Sequence, residues 1–533
     1  MSQIFRAFVI IAVLLAASIT SGPAAPQKPG GILKMYIWDN PPSMSMLDGV
    51  NPLAQRATMG VFNNLIMFDQ HVKQSSLESI VPDLATGWSW NEEGTALTLP
   101  LRQGVKWHDG KPFTAQDVEC TWDLILEKSS DKLRVNTRKS WYRNLEEVRT
   151  NGDYQITFHL KRPQPAFPLL LASGWSPVYP CHVPTRDMRS HPIGTGPFKF
   201  VEFKPNESIK VTRAADYWKK DRPYLDGIEF TIIRNMSTAA LAFISGSFDM
   251  TFPYSLTVPL LKDARSQRPD AICELTPNGG INSHLLVNRD KPPFDSPELR
   301  HAMALSLDRK AFIDILSEGQ GEIGGVLQPP PGGLWGMPPD LLKELPGYDP
   351  DVQKNRAKAR HIMEQLGYGP GNRPKITVST RDHPDFRGPA VILIDQLKEV
   401  YFDGELETID TTVYYPKILR KDYTVGLNGS QSGPDPDPIL DLFYGCGSSQ
   451  NWDGYCNLEV DKLIEQQSIE ADPGRRKQLV WAIERKLAGD GARPIIFYNR
   501  YGTCWQPWVK GLTIMVDSLF NGNRMEDVWL DQH

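Results

Sequence analysis

Apolar residues fall on every second position at Leu97, Leu99 and Leu101, after Trp88 and Trp90 and the polar turn Asn91-Glu92-Glu93-Gly94. That alternation predicts a hairpin with one apolar face, and Pro100 marks its second strand as an edge. Beyond Asp109-Gly110, Thr114 and Asp117 form a Thr-x-x-Asp capping box with Phe113 and Val118 placed as a hydrophobic staple, so a helix with Val118, Trp122 and Ile125 on one face is expected. Further on, Asn151-Gly152 suits a type I′ turn, and Tyr154, Ile156, Phe158 and Leu160 alternate after it. Ser296-Pro297 and Asp308 open helices, and another runs from Asp349-Pro350 to Gly367. From Lys375 onward the order becomes strand 376–378, helix 389–400, strand 406–409, strand 423–427, two helices of which the second spans Asp472-Pro473 to Gly489, and strand 495–498. That is α/β order.

A chain of 533 residues exceeds one hydrophobic core, so two or three domains are expected. A formal charge of −5 with no Lys/Arg cluster argues against a nucleic-acid face. Arg6 precedes an apolar run, Ala7 to Ile19, of ~20 Å as a helix, short of the ~30 Å bilayer core. Small residues Ser21 to Ala25 follow, and the first cysteine is Cys120, so residues 1–25 read as a signal peptide cleaved after Ala24 or Ala25, without a lipid anchor. The expected location is the periplasm. Six cysteines in an exported chain allow three disulfides. Cys446 and Cys456 bracket a short loop and are the first pair, with Cys120/Cys181 and Cys273/Cys504 for the rest. No Cys-x-x-Cys or His-x-x-x-His spacing supports a metal, and no cofactor is expected.

The run from Val81 to Leu126, with Pro82-Asp83-Leu84-Ala85, Trp107-His108-Asp109-Gly110 and Phe113-Thr114-Ala115, resembles the signature of the family 5 extracellular solute-binding proteins of ABC transporters. Gly194-Thr195-Gly196-Pro197-Phe198, Asp216-Tyr217-Trp218 and the stretch from Asn288 to Ile315 resemble the same family. The resemblance implies the periplasmic binding protein type II fold: α/β lobes joined by two crossing strands, here near 280–288 and 498–505, plus an extra β-rich domain. Domain I would comprise 26–71, 192–282 and 506–533; domain II, the extra one, 72–191; and domain III 283–505.

Other motifs carry less. Gly319-Gln320-Gly321-Glu322-Ile323-Gly324 is a formal G-x-G-x-x-G, but it follows a helix and runs into Pro329-Pro330-Pro331, which is wrong for a dinucleotide turn. His108-Asp109 sits in a turn and reads as structural. The family points certain loops into its cleft, which makes Trp38, Ser43, Met44, His284, Trp335, Tyr415, Ser432 and Asp435 the candidate ligand-binding residues. Peptide-binding relatives place a carboxylate for the ligand's α-ammonium a few residues before the Asp435-Pro436-Asp437 motif. Here Ser432 occupies that position, so unless Asp435 or Asp437 takes the role, sugar conjugates or opine-like solutes gain weight against free peptides. The expected function is capture of a peptide-like or other small polar solute for delivery to ABC permease subunits in the inner membrane, by a monomer without catalysis. The alternatives are an exported saccharide hydrolase, or a chaperone or sensor on the same scaffold.

Overall fold

The computed structural model describes residues 27–48, 52–276, 281–431, 433–516 and 523–531. The expected signal peptide and Ser432 lie outside the described residues. Three sheets organise the rest.

In the first lobe, Ile32–Ile37 pairs in parallel with Gly227–Ile232, followed in antiparallel order by Ser208–Arg213 and Phe198–Lys204. The second lobe carries a five-stranded sheet in the order Asp403–Ile409, Lys375–Arg381, Val425–Gln431, Ile281–Val287, Ile495–Asn499. Its first three strands are mutually parallel and the last two pairings antiparallel, as the α/β order of the sequence requires. The extra domain is a four-stranded antiparallel sheet, Ser89–Trp90, Ala96–Pro100, Gln155–Leu160 and Leu145–Thr150.

Helix Ala115–Ile125 covers that sheet. Its capping box at Thr114 and Asp117 is formed, and Phe113, Val118, Trp122 and Ile125 are fully buried. Trp122 meets Phe158 edge-on at 5.0 Å, so the helix stripe and the strand alternation close on each other. Ala96–Pro100, however, is an interior strand and not an edge. The edge on its side of the sheet is Ser89–Trp90, whose pairing reaches only Leu97 and Thr98. Pro100 therefore lies past the paired stretch, offering only its carbonyl, which accepts from the Thr86 N–H at 2.8 Å.

Two chain segments pass between the lobes. Ile272–Leu275 pairs with Gly502–Trp505 on the first-lobe side, and Ile281–Val287 pairs with Ile495–Asn499 in the second lobe. Cys273 and Cys504 face each other in the first pair and are bonded, with Cα atoms 4.1 Å apart. Cys120–Cys181 and Cys446–Cys456 are the other disulfides.

Several boundaries differ from expectation. The helix placed at Pro389 begins at Pro384, where His383 accepts from the Asp385 N–H as N-cap, and it takes Pro389 into its interior. The helix placed at Asp349-Pro350 begins at Val352 with Asp351 as cap. Thr411–Leu419, which opens on β-branched Thr411, Thr412 and Val413 and contains Pro416, is helical although its composition disfavours a helix. The Asp410 cap and the burial of Tyr414 and Ile418 prevail there. Beyond Val425–Gln431 three helices follow where two were expected: Pro436–Tyr444, Leu458–Ile469 and Pro473–Gly489.

Candidate functional site

Where the lobes and the extra domain meet there is a cavity of about 240 Å³. The first lobe contributes Trp38, Arg56 and Tyr254, and the extra domain Arg138, Trp141 and Trp175. His284, Arg381, Tyr415 and Arg493 come from the second lobe, and Tyr501, between the crossing segments, completes the wall.

Each polar group is positioned by its element. Trp38 follows the strand Ile32–Ile37 and meets Phe252 edge-on at 5.9 Å. Arg56, on helix Pro52–Thr58, lies with its guanidinium carbon 4.6 Å from the Trp38 ring centre and 5.0 Å from that of Phe252. It is 4% exposed, and burial holds its pKa down to about 9, against weaker pulls upward from Tyr254 and Tyr501. Arg138 is sandwiched between Trp141 and Trp175, at 4.6 and 4.3 Å, and burial likewise holds it down to about 9. Arg381 ends the strand Lys375–Arg381; its Nη2 donates to Asn428 Oδ1 at 2.9 Å and its guanidinium lies 3.5 Å over the Phe386 ring. Arg493 donates from Nη2 to the Gln450 carbonyl at 2.8 Å and reaches Asp453 Oδ1 at 3.3 Å, while its Nε and Nη1 are buried without a partner among the described residues.

His284 stands on the strand Ile281–Val287 directly opposite Asn428. Its Nδ1 lies 2.8 Å from Asn282 Oδ1, an oxygen that also accepts from the Ser430 hydroxyl, so the proton belongs on Nδ1 and the buried Nε2 is an acceptor without a partner among the described residues. Burial first, then the charges of Arg493 and Arg381, push the ring well below its ordinary pKa, which keeps it neutral. The wall's carboxylates, among the described residues, are Asp39 and Asp385. Asp39 pairs with Arg234 at 3.1 Å, and Asp385, whose pKa burial raises, is hydrogen-bonded by Tyr501.

Of the residues singled out from sequence, Trp38, His284 and Tyr415 therefore line one cavity. The other described ones stand elsewhere. Met44 is fully buried in the core, and the Ser43 hydroxyl accepts from the Ser45 N–H at 3.1 Å within its own loop. Trp335 donates from its indole to the Pro434 carbonyl at 3.0 Å and stacks 4.6 Å from Arg476, beside a side pocket of about 10 Å³. Asp435 caps helix Pro436–Tyr444 and is bound at both oxygens by Arg476, at 2.7 and 2.8 Å. Asp437 takes the same guanidinium at 3.2 Å and accepts from Gln164 of the extra domain at 2.8 Å. Neither carboxylate is available to a ligand's ammonium group.

The four arginines were not singled out from sequence, because they come from four distant segments and share no spacing. Only the Arg138-x-x-Trp141 pair leaves a local trace. Two motifs set aside as structural stand where packing explains them. His108 accepts from the Gly194 N–H at Nδ1 and donates from Nε2 to the Gly196 carbonyl, at 3.3 and 2.9 Å, which pins the Gly-Thr-Gly-Pro turn. A Cβ on Gly324 would meet the Tyr498 ring at 2.5 Å, so that glycine serves close approach to a crossing segment.

The sequence model of bacterial extracellular solute-binding proteins, family 5 (middle), matches residues 79–451. Di/tripeptide-binding protein 1 of Pseudomonas aeruginosa is 25% identical over 447 residues, covering 79% of this chain and 80% of its own. Glutathione-binding protein GsiB of Salmonella typhi is 26% identical over 492 residues, covering 88% and 89%. The fold matches that of the ABC transporter-associated periplasmic binding protein DppA from Helicobacter pylori in complex with peptide STSA, with a TM-score of 0.83 at 22% identity over 95% of this chain and 99% of that one.

Proposed function

The chain belongs to the bacterial extracellular solute-binding proteins of family 5, and from that premise we propose that it captures a compact polar solute between its lobes and presents it to the permease of an ABC importer. The observation that carries this reading is one cavity walled by both lobes and the extra domain, with the chain crossing between the lobes twice. A solute that touches all three parts stabilises the closed arrangement by its differential affinity for it. At about 240 Å³ the cavity lies below the roughly 300–1,000 Å³ usual for small-molecule sites, which favours a solute no larger than a short peptide or a sugar conjugate. Trp38, His284 and Tyr415 are the ligand contacts we retain from the sequence, joined by Arg56, Arg138, Arg381 and Arg493. The Arg6-led apolar segment and small residues at 21–25 support export to the periplasm with cleavage there.

The test is to denature protein purified from its own periplasm and identify the released small molecule by mass spectrometry. That molecule, added back at 100 times Kd, is expected to stabilise the protein by about 2.7 kcal/mol. Recovery of no small molecule, or of one that the protein converts chemically, would contradict the reading.

A further inference from the structure

The arginines of the cavity wall outnumber its carboxylates, four to two among the described residues, and no ion pair within 4.0 Å joins the two sets there. Asp39 is taken by Arg234, and Asp385 is held by Tyr501. The Arg138 side chain, on a residue 3% exposed, makes no hydrogen bond or ion pair among the described residues, and its Nε is buried without a partner there. Among the described residues the Arg56 side chain donates only to the Pro253 carbonyl, at a long 3.5 Å, with its Nε unpartnered. The Nε of Arg381, and the Nε and Nη1 of Arg493, are in the same condition. A guanidinium buried without a counter-charge costs more than two indole faces return. Its fork of N–H donors matches carboxylate or phosphate oxygens two at a time.

Resting on the solute-capture reading, we propose that the solute is a compact polyanion with at least two acidic groups. One group is received by Arg138 between its tryptophans, and another by Arg381 and Arg493 across the cavity, with Arg56 reinforcing the field. His284 fits the arrangement as a neutral neighbour whose bare Nε2 accepts a hydroxyl or amide N–H of the solute. Asp385, which feels the charge of Arg381 but forms no close ion pair with an arginine among the described residues, leaves room for at most one ligand cation. Closing the lobes then supplies Arg138 and Arg56 with a counter-charge that the described residues withhold, and Arg493 with a partner beyond its contact to Asp453, so charge neutralisation drives closure.

Thermal melting of the full mature chain, stripped of bound solute by unfolding and refolding with its disulfides intact, tests this with citrate and pyrophosphate as carboxylate and phosphoryl probes. Each is compared with chloride at equal ionic strength, and with Ala-Ala and maltose as uncharged or zwitterionic controls. At least one polyanion is expected to raise Tm by several degrees, and which one does so identifies the acidic group. Arg138→Met should weaken its binding at least tenfold while melting at or above the wild-type temperature without solute, because an uncompensated cation has been removed. Arg381→Met, at a half-buried strand end and safe for folding, should weaken binding about fivefold. A wild type indifferent to both polyanions overturns the inference. So does an Arg138→Met variant that melts lower without solute and binds unchanged, which would make Arg138 a packing residue. If Ala-Ala or maltose raises Tm and the polyanions do not, the anion inference falls while solute capture stands; if in addition nothing is released from the native protein, both fall.

Discussion

Arg476 receives two carboxylates, and Asp435, 1% exposed, gives it both oxygens. Removing one member of such a buried set leaves the other charge uncompensated, so Asp435→Asn should lower the stability of the solute-free protein by roughly 3 kcal/mol, with solute affinity of the folded protein little changed. Urea titration with and without solute checks this; an unaltered solute-free midpoint with weakened binding would return Asp435 to the ligand. His108 makes a pH prediction. Burial holds it down to about 4, against 6.5 when unfolded, so the folded state binds fewer protons in that window. Stability is complete above about 6.5 and is lost as pH falls towards 4, by roughly 3 kcal/mol from this group. His108→Gln should therefore cost less at pH 4.5 than at pH 7.5 in urea midpoints; equal cost at both would contradict a buried neutral ring. At this scale the sequence exposed little of the cavity. Trp38, His284 and Tyr415 were reachable because they lie in stretches that resemble a known cleft, whereas Arg56, Arg138, Arg381 and Arg493 carry no signal until folding gathers them. Asp435 misled because its partner, Arg476, is 41 residues away along the chain.

The elements were far more legible, since capping residues and alternation are local. Thr114, Ser296, Asp308 and Asp472 all stand at helix starts. Exceptions such as Thr411–Leu419 arise where tertiary burial overrides propensity. The Gly-Thr-Gly-Pro turn shows why some local motifs are rigid: a Cβ on Gly194 would lie 1.9 Å from the Val61 carbonyl oxygen. Gly194→Ala should thus cost on the order of 3 kcal/mol or more in thermal unfolding, and a neutral substitution would mean that the turn shifts freely. The disulfides can be ranked in the same way. Cys273–Cys504 closes a span of 231 residues and ties the crossing segments together on the first-lobe side, while Cys446–Cys456 closes a span of 10. On the chain-entropy model these contribute at most about 5 and about 3 kcal/mol. Paired Ser substitutions should lower Tm more at 273/504 than at 446/456; the reverse order would show that local packing of the 446–456 loop dominates.

For the whole molecule, the later crossing runs through the short stretch between Asn499 and Gly502, with Tyr501 in it and also on the cavity wall. The extra domain meets the second lobe through Arg143, paired with Asp441 at 3.0 Å, and Gln164, bonded to Asp437, so this junction must rearrange when the cleft opens. Helices Met236–Ile244 and Thr411–Leu419 flank the cavity from opposite lobes, with Leu241 and Val413 exposed on their outer sides. Spin labels at Leu241 and Val413, read by pulsed double-resonance distances before and after addition of the solute released from the native protein, give the most direct measurement. Capture by closure requires a broad or longer distance without solute that collapses to a single shorter one when the cavity fills. A distance distribution that stays the same while solute binds would contradict it.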